Sequence, residues 1–528
     1  MTFIYWLPNG LNEPGEPTWG GWAGRYGPNE TLPGRPYYWA NQKDTWRGTT
    51  LRDHTLGRWA EALQNDFRVR LDWCVQARTN ANHPPLVRLN RERVLRVRPG
   101  ESVQVSAAAS TDPDGQALQF SWIPYPEAGT YRGAWEGIRT DGSELSFQAP
   151  AVDSEETLHF VVAVTDSGSP ALTRYARVVV VVEPTARPVD LSAHLRPPAE
   201  FLSAVASNPF LHPTNGAPIQ SVADWTRRRQ DIKSTWERLL GPWPALLEHP
   251  RWDVLHSAPR ETFVQQRVRL EIARDQFVEG WYLIPARTGP LPAVLIPYYE
   301  PETSVGLGTQ RHRDFALQLA RRGFATLAIG TPGGDARQPN LGDAQCQPLS
   351  FLAYVAANAH TALTQRPEID HDRIGVLGHS YGGKWALFAA ALYEPFAVCA
   401  VSDPGVSWDE SRPNVNYWES WYLGAEPGKR RTPGLVTPDN PRTGAYRELI
   451  AGGHSLTELQ SLLAPRPFFV SGGAEDQPER WRDLSQLLPV YELLGLPGRV
   501  GLTARPGHDP TPESNAELMA FFERFLAP

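Results

Sequence analysis

The rhythm of apolar positions along the chain changes twice. Up to about residue 83 the apolar residues are mostly Trp set among Gly and Pro, as in WGGWAGRYG, until the stretch RDHTLGRWAEALQNDFRVRLDWCVQ. There Trp59, Leu63, Phe67 and Leu71 recur at one-turn spacing and predict a helix buried along that face. From 84 to 184 short alternating runs, VLRVRPGESVQVSAAAS, ALQFSWIPY, LHFVVAVTDSG and TRYARVVVVV, are separated by turn residues. Period-two alternation broken this often predicts an all-β sandwich. A Pro-rich linker, spanning 185–200, follows. The region 201–528 then opens with SVADWTRRRQDIKSTWERLL, which Ser221 or Asp224 can cap and Gly241-Pro242 ends. Strands and helices alternate from there on, the signature of a mostly parallel sheet covered by helices on both faces. The expected architecture is multidomain: a small N-terminal piece, a β-sandwich and an α/β unit.

The features LPNGL, WGGWAGRY, NDFRVRLDW and ANHPP make residues 1–83 resemble the C-terminal end of the nucleoside-hydrolase-like domain of bacterial cellulose-binding proteins. The aspartate-rich calcium site of such hydrolases has no counterpart here, so the stretch reads as a remnant without nucleosidase activity. The phrase ASTDPDGQALQFSW resembles immunoglobulin-like modules of the PKD and cadherin-like kind, with Asp112 to Gly115 as a turn and Trp122 facing the core. A calcium ion between Asp112, Asp114 and Asp166 is one reading of that turn. Asp-Pro-Asp-Gly as plain turn chemistry is the other.

Composition narrows the function classes. With 528 residues, 41% hydrophobic and 21% charged, several cores can be filled, and a formal net charge of -7 offers nothing to a phosphate backbone. Nucleic acid is not an expected partner. No run of about 18 apolar residues occurs, so no membrane span is expected. The start, MTFIYWLPNGLNEPGEP, lacks the basic and apolar regions of a signal peptide and reads like the middle of a domain. The module types would suit a secreted or periplasmic setting if the start were truncated, and the compartment is otherwise open. Cys74, Cys346 and Cys399 are scattered, so neither a disulfide framework nor a metal site is indicated, and no cofactor is expected.

Chemistry concentrates at RIGVLGHSYGGKWALFAAALYEP. A strand runs into G-x-S-x-G and then into an apolar helix, the strand-turn-helix setting in which the serine stands exposed on a strained turn. Ser380 is therefore the candidate nucleophile. A serine hydroxyl needs a base to take its proton and a carboxylate to orient that base. Only His454 and His508 lie beyond the helix that follows Ser380, and His508 sits in the RPGHDP loop after a strand, ahead of the closing helix. His454 precedes a helix, where a capping or surface role suffices. For the acid, Asp476 ends the strand PFFVSGG in the usual position, with Asp403, one strand earlier, as the alternative. One oxyanion donor is expected at the Tyr381 amide and the other from the loop at Tyr298 and Tyr299.

GHSYGGK makes residues 200–528 resemble the α/β-hydrolases of the dienelactone-hydrolase, acetyl xylan esterase and prolyl-oligopeptidase group. The lead-in helix is similar to that of carbohydrate esterases, including glucuronoyl esterases, although the arginine those enzymes carry after the nucleophile is Tyr381 here. The resemblance implies a serine esterase acting on a carbohydrate-linked or other small ester. It also implies that Lys384, at the matching motif position, contacts sugar hydroxyls, with Trp408, Trp418 and Trp421 of a long aromatic insertion as a stacking face. A lysine snorkelling to solvent or pairing with a carboxylate, and an insertion that merely fills space, are the plainer alternatives. A serine peptidase and a non-catalytic carbohydrate-binding protein complete the competing readings.

Overall fold

The structure, a computed structural model, describes residues 6–28, 38–152, 155–183, 189–202, 210, 218–287, 289–308, 310, 312–429 and 431–527. The front of the expected linker, 185–188, lies outside them. The chain divides into two compact units, Met1–Arg187 and Pro188–Pro528.

Among the described residues the first unit contains two larger β-sheets, of four and three strands, beside two that are only two-stranded. Strands β1 (Val94–Val97), β3 (Gln119–Pro124), β6 (Glu156–Thr165) and β7 (Thr173–Val182) form a sheet in the order β1-β7-β6-β3. Strands β2 (Ser102–Ser106), β4 (Arg139–Asp141) and β5 (Glu144–Gln148) form the other, ordered β2-β5-β4. Alternation sorts β6: Leu158, Phe160, Val162 and Val164 join the core between the sheets, while Val161 points the other way. That outer face is covered by the N-terminal stretch, whose Leu11, Trp22 and Trp59 pack with Val161, Tyr125 and Tyr175. The apolar run Val178–Val182 is accordingly buried throughout, as expected of a strand covered on both sides. The stretch thus packs as a second cover for the sandwich. Gly10 shows how closely: a Cβ there would lie 1.8 Å from the Tyr175 carbonyl oxygen.

The predicted helix is α1 (Ala60–Val75), but its buried face differs from the expected one. Trp59 is buried and Leu63 partly so, whereas Phe67 and Leu71 are exposed, at 64% and 55%. Steps of four residues advance about 40° per step around a helix of 3.6 residues per turn, so the stripe winds off the packing face. Asp66 and Val69 are buried instead, and Asp66 binds Arg70 and Arg174. The aspartates considered for calcium are engaged by protein donors. Asp112 accepts the amides of Asp114 and Gln116, Asp114 binds His83, and Asp166 accepts the amides of Gly168 and Leu172.

The second unit opens with α2 (Val222–Leu240), where Ser221 and Asp224 form a reciprocal capping box and Gly241, at φ 85°, ends the helix. Among the described residues nine strands follow: β8 (Trp252–Arg260), β9 (Phe263–Ala273), β10 (Gln276–Pro285), β11 (Leu291–Pro297), β12 (Ala325–Ile329), β13 (Ile369–His379), β14 (Val398–Ser402), β15 (Phe468–Gly472) and β16 (Val500–Ala504). Their order is β8-β9-β10-β12-β11-β13-β14-β15-β16, antiparallel up to β12 and parallel from β12 to β16.

Both faces of the sheet are covered. Ala293 and Leu295 of β11 pack with α2, α4 (Pro348–Thr364) and α5 (Tyr381–Leu392). Val294 and Ile296 pack with α3 (Phe315–Arg321) and α6 (Pro512–Leu526). This is the α/β-hydrolase arrangement. The order reverses around β11, and folds of this kind place their sites beyond the carboxyl ends of the strands at such a reversal, here those of β11, β12 and β13. Among the described residues no helix is long and apolar enough to cross a membrane.

Candidate functional site

The sharpest turn in this sheet lies between β13 and α5. Ser380 holds φ 53° and ψ -113°, a conformation that costs a residue with a Cβ about 1–3 kcal/mol and persists only where its surroundings impose it. They do so through contact. A Cβ on Gly378 would lie 1.9 Å from the Gly382 carbonyl oxygen, and one on Gly382 would lie 2.1 Å from that of Pro297. The Ser380 amide is anchored to the Ser402 carbonyl of β14 at 2.8 Å, and its side chain is left half-buried.

Two groups border the serine. The Tyr381 amide opens α5, where amides have no carbonyl within the helix to bond. The Tyr299 ring stacks on the Tyr381 ring with centroids 4.7 Å apart, which sets its hydroxyl beside the Ser380 side chain. Burial holds the Tyr299 phenol above its ordinary value, while Ser380, Arg313 and Arg337 pull against that, so it stays protonated and able to donate. Tyr298, the other expected contributor, is committed elsewhere. Its amide bonds the Ile329 carbonyl at 3.0 Å and its hydroxyl accepts from Arg313 at 2.6 Å.

His508 occupies the loop after β16, with Nδ1 2.7 Å from Asp403 Oδ2. The carboxylate that meets His508 is thus the sequence-based alternative, Asp403, and not the preferred Asp476. Asp403 adopts φ 51° directly after β14, which turns its carboxylate toward His508, and its Oδ1 accepts the amides of Glu475 and Asp476 at 3.0 and 2.9 Å. Asp476 faces back across the same gap and accepts the amides of Gly405 and Val406 at 2.8 and 2.6 Å.

Several residues that sequence reasoning passed over hold this arrangement. Buried Arg505 donates to the carbonyls of His508 (2.6 Å), Asp509 (2.8 Å), Ser471 (3.0 Å) and Gly472 (3.1 Å), pinning the histidine loop to the end of β15. Arg313 ties the same loop down through Asp509. His379 is buried with its ring 4.7 Å from that of His508, and burial drives its pKa well below the ordinary value, so it is neutral. Arg505 stands three residues before His508 in RPGHDP, and nothing in that spacing marks it as a clamp.

The expected sugar-binding set is mostly closed. Lys384 is buried, and its Nζ donates to the Asn414 carbonyl at 2.8 Å and lies over the rings of Tyr417 and Tyr422. Burial lowers its pKa to about 8, although Asp476, Glu475 and Asp403 pull it upward. Trp418 is 1% exposed, with its indole N–H on the Gly434 carbonyl. Trp408 is stacked on Trp236 and bonds the His454 carbonyl. Each was expected at the surface of the cleft because an aromatic insertion after a strand end normally overhangs it. Here the insertion folds onto α5, burying Tyr417, Trp418 and Tyr422 and partly covering Trp408. Trp421 keeps a partly exposed face, beneath the guanidinium of Arg337 at 5.6 Å. His454 pairs with Glu458 at 2.7 Å, away from the serine's partners.

Two family models match parts of the chain: the C-terminal domain of the cellulose-binding protein Sde0182 over residues 102–182, and the prolyl oligopeptidase family over 315–433. The chain is 25% identical over 299 residues to YtaP of Bacillus subtilis (strain 168), named as a hydrolase, covering 52% of this chain and 92% of that one. Among solved structures it is similar to a glucuronoyl esterase from Solibacter usitatus, with 16% identity, 60% of this chain and 96% of that one covered, and a TM-score of 0.46. It is also similar to a nucleoside hydrolase-related protein from Saccharophagus degradans associated with carbohydrate metabolism. That match has 30% identity, covers 34% of this chain and 46% of the other, and has a TM-score of 0.28, so the chain spans about half the length of that relative.

Proposed function

We propose that the second unit is a serine esterase and that its substrate carries a carbohydrate next to the scissile ester. The observation that carries this reading is the 2.7 Å bond between His508, in the loop after β16, and Asp403, at the end of the strand next to the one that leads into Ser380. In this reading Nδ1–H donates to Asp403 and Nε2 is left to take the Ser380 proton. Ser380 Oγ then attacks the ester carbonyl carbon. The charge that develops on the carbonyl oxygen is met by the Tyr381 amide and the Tyr299 hydroxyl. The imidazolium returns its proton to the leaving alcohol, and water, activated by the same imidazole, releases the acid from Ser380. The prolyl oligopeptidase match, which includes Ser380, and the relation to a hydrolase support the chemistry. The match of residues 102–182 to a cellulose-binding protein supports the carbohydrate setting.

The test is a fluorophosphonate probe followed by peptide mapping, together with turnover of p-nitrophenyl acetate, acetylated sugars and aminoacyl nitroanilides. Label on Ser380, ester turnover lost in Ser380→Ala and His508→Ala, and a preference for the sugar esters are expected. The prolyl oligopeptidase match favours a peptidase as the second reading, and faster cleavage of the nitroanilides would establish it over the first.

A further inference from the structure

The carboxylates at the ends of β14 and β15 hold each other's turns. Asp403 accepts the two amides that follow β15's turn, at Glu475 and Asp476, and Asp476 accepts the two that follow Asp403, at Gly405 and Val406. The first of these turns needs holding, because Asp403 and Gly405 stand at φ 51° and 81°. The fit is close: a Cβ on Gly473 would lie 2.7 Å from Asp403 Oδ2, the oxygen that faces His508. Asp476 is fully enclosed, and both its oxygens are spent on the turn that aims Asp403.

Charged and titratable groups surround it from each neighbouring element. They are Asp403 after β14, Lys384 on α5, Tyr417 in the insertion, Arg480 with Nε at 3.8 Å, and Arg505 beside the histidine loop. Burial first, and then the charge of Asp403, raise Asp476 to about 6, while the two amides and Arg480 work in the other direction.

We propose that Asp476 is a positioning residue: it fixes the turn Asp403–Val406 that directs Asp403 at His508, and it places a second negative charge behind that pair. This rests on the reading of Ser380, His508 and Asp403 as the reacting groups. Ionised Asp476 favours the protonated imidazole, so removing its charge moves the acidic limb of kcat/KM toward lower pH.

The experiment measures kcat, KM and the pH profile on p-nitrophenyl acetate for Asp476→Asn, Asp403→Asn and Ser380→Ala. For Asp476→Asn, kcat falls about 10- to 100-fold, the scale of a small misplacement, with KM changed by less than about twofold. Its acidic limb shifts down by about half a pH unit, a movement that a purely structural role would not produce. A loss equal to that of Asp403→Asn, or an unmoved limb, overturns the proposal. If Asp476→Asn fails to fold, Arg480→Gln takes its place. Removing that cation should shift the limb the other way by a few tenths of a unit, and an unmoved limb there is equally fatal. Activity remaining in Ser380→Ala would instead remove the esterase reading itself, whereas an inactive Ser380→Ala with an unmoved limb in Asp476→Asn removes only this inference.

Discussion

Each unit buries an aspartate completely, and the two are put to different ends. In the first unit Asp44 meets Arg25 at 2.8 Å, the Tyr125 hydroxyl at 2.6 Å and Arg58 at 3.5 Å. Burial and the Asp44 charge drive the Tyr125 pKa far upward, so that hydroxyl remains a donor. Every partner in this cluster is fixed, and the charge is closed off. In the second unit Asp403 spends one oxygen on two backbone amides and gives the other to His508, whose side chain is 28% exposed. A buried carboxylate surrounded by guanidinium groups acts as a structural tie. One that passes its charge through an imidazole toward solvent is placed to act on a substrate.

The largest expected effect breaks the second half of this contrast. Asp403→Asn should lower kcat about 10⁴-fold through misorientation of the imidazole, with little change in the unfolding midpoint, as measured by ester turnover alongside calorimetry. Asp44→Ala should do the reverse. Stranding Arg25 and Arg58 should cost the first unit about 3–5 kcal/mol in a urea titration followed by Trp fluorescence, while kcat on p-nitrophenyl acetate stays within about twofold. A matched loss of activity would mean that the two clusters are not separate in function.

A third measurement sharpens the comparison through pH. Asp476 is raised to about 6 from an ordinary 3.8, so the folded state binds its proton more tightly than the unfolded chain does. That contribution to stability is complete below about pH 3.8 and is lost as pH rises through about 6, by up to about 3 kcal/mol. Asp476→Asn removes this titration. The difference in unfolding midpoint between variant and parent should therefore grow more favourable to the variant from pH 4 to pH 7. A difference that stays flat with pH would show that Asp476 does not titrate in this window. The smallest effect concerns α1: Phe67→Gln should change stability by less than about 0.5 kcal/mol, because the ring is already exposed. A larger loss would restore the helical face that the one-turn spacing suggested.

Local chemistry was readable from the residues alone. The capping box of Ser221 and Asp224, the glycine that ends α2 and the G-x-S-x-G turn each depend on neighbours within a few positions, so residue type and spacing determine them. The valine run in β7 read only as one of the sandwich's alternating strands, and that both its faces are covered emerged with the packing of the N-terminal stretch. Which carboxylate reaches His508 was not readable. Asp403 and Asp476 both end strands of the same sheet, and the choice between them turns on one backbone angle and on amides 72 and 73 residues away. Lys384, Trp408 and Trp418 looked available because sequence reports their chemistry and not their solvent. The packing of the insertion against α5 decided that, since a buried cation and buried indoles must satisfy their donors on nearby carbonyls, here those of Asn414, His454 and Gly434. Short-range sterics and capping were fixed by the order of residues. The orientation of Asp403, the stacking of Tyr299 on Tyr381 and the enclosure of the aromatic insertion depend on strands and loops far apart in sequence, whose side chains compete for the same few hydrogen-bonding partners only once the sheet has formed.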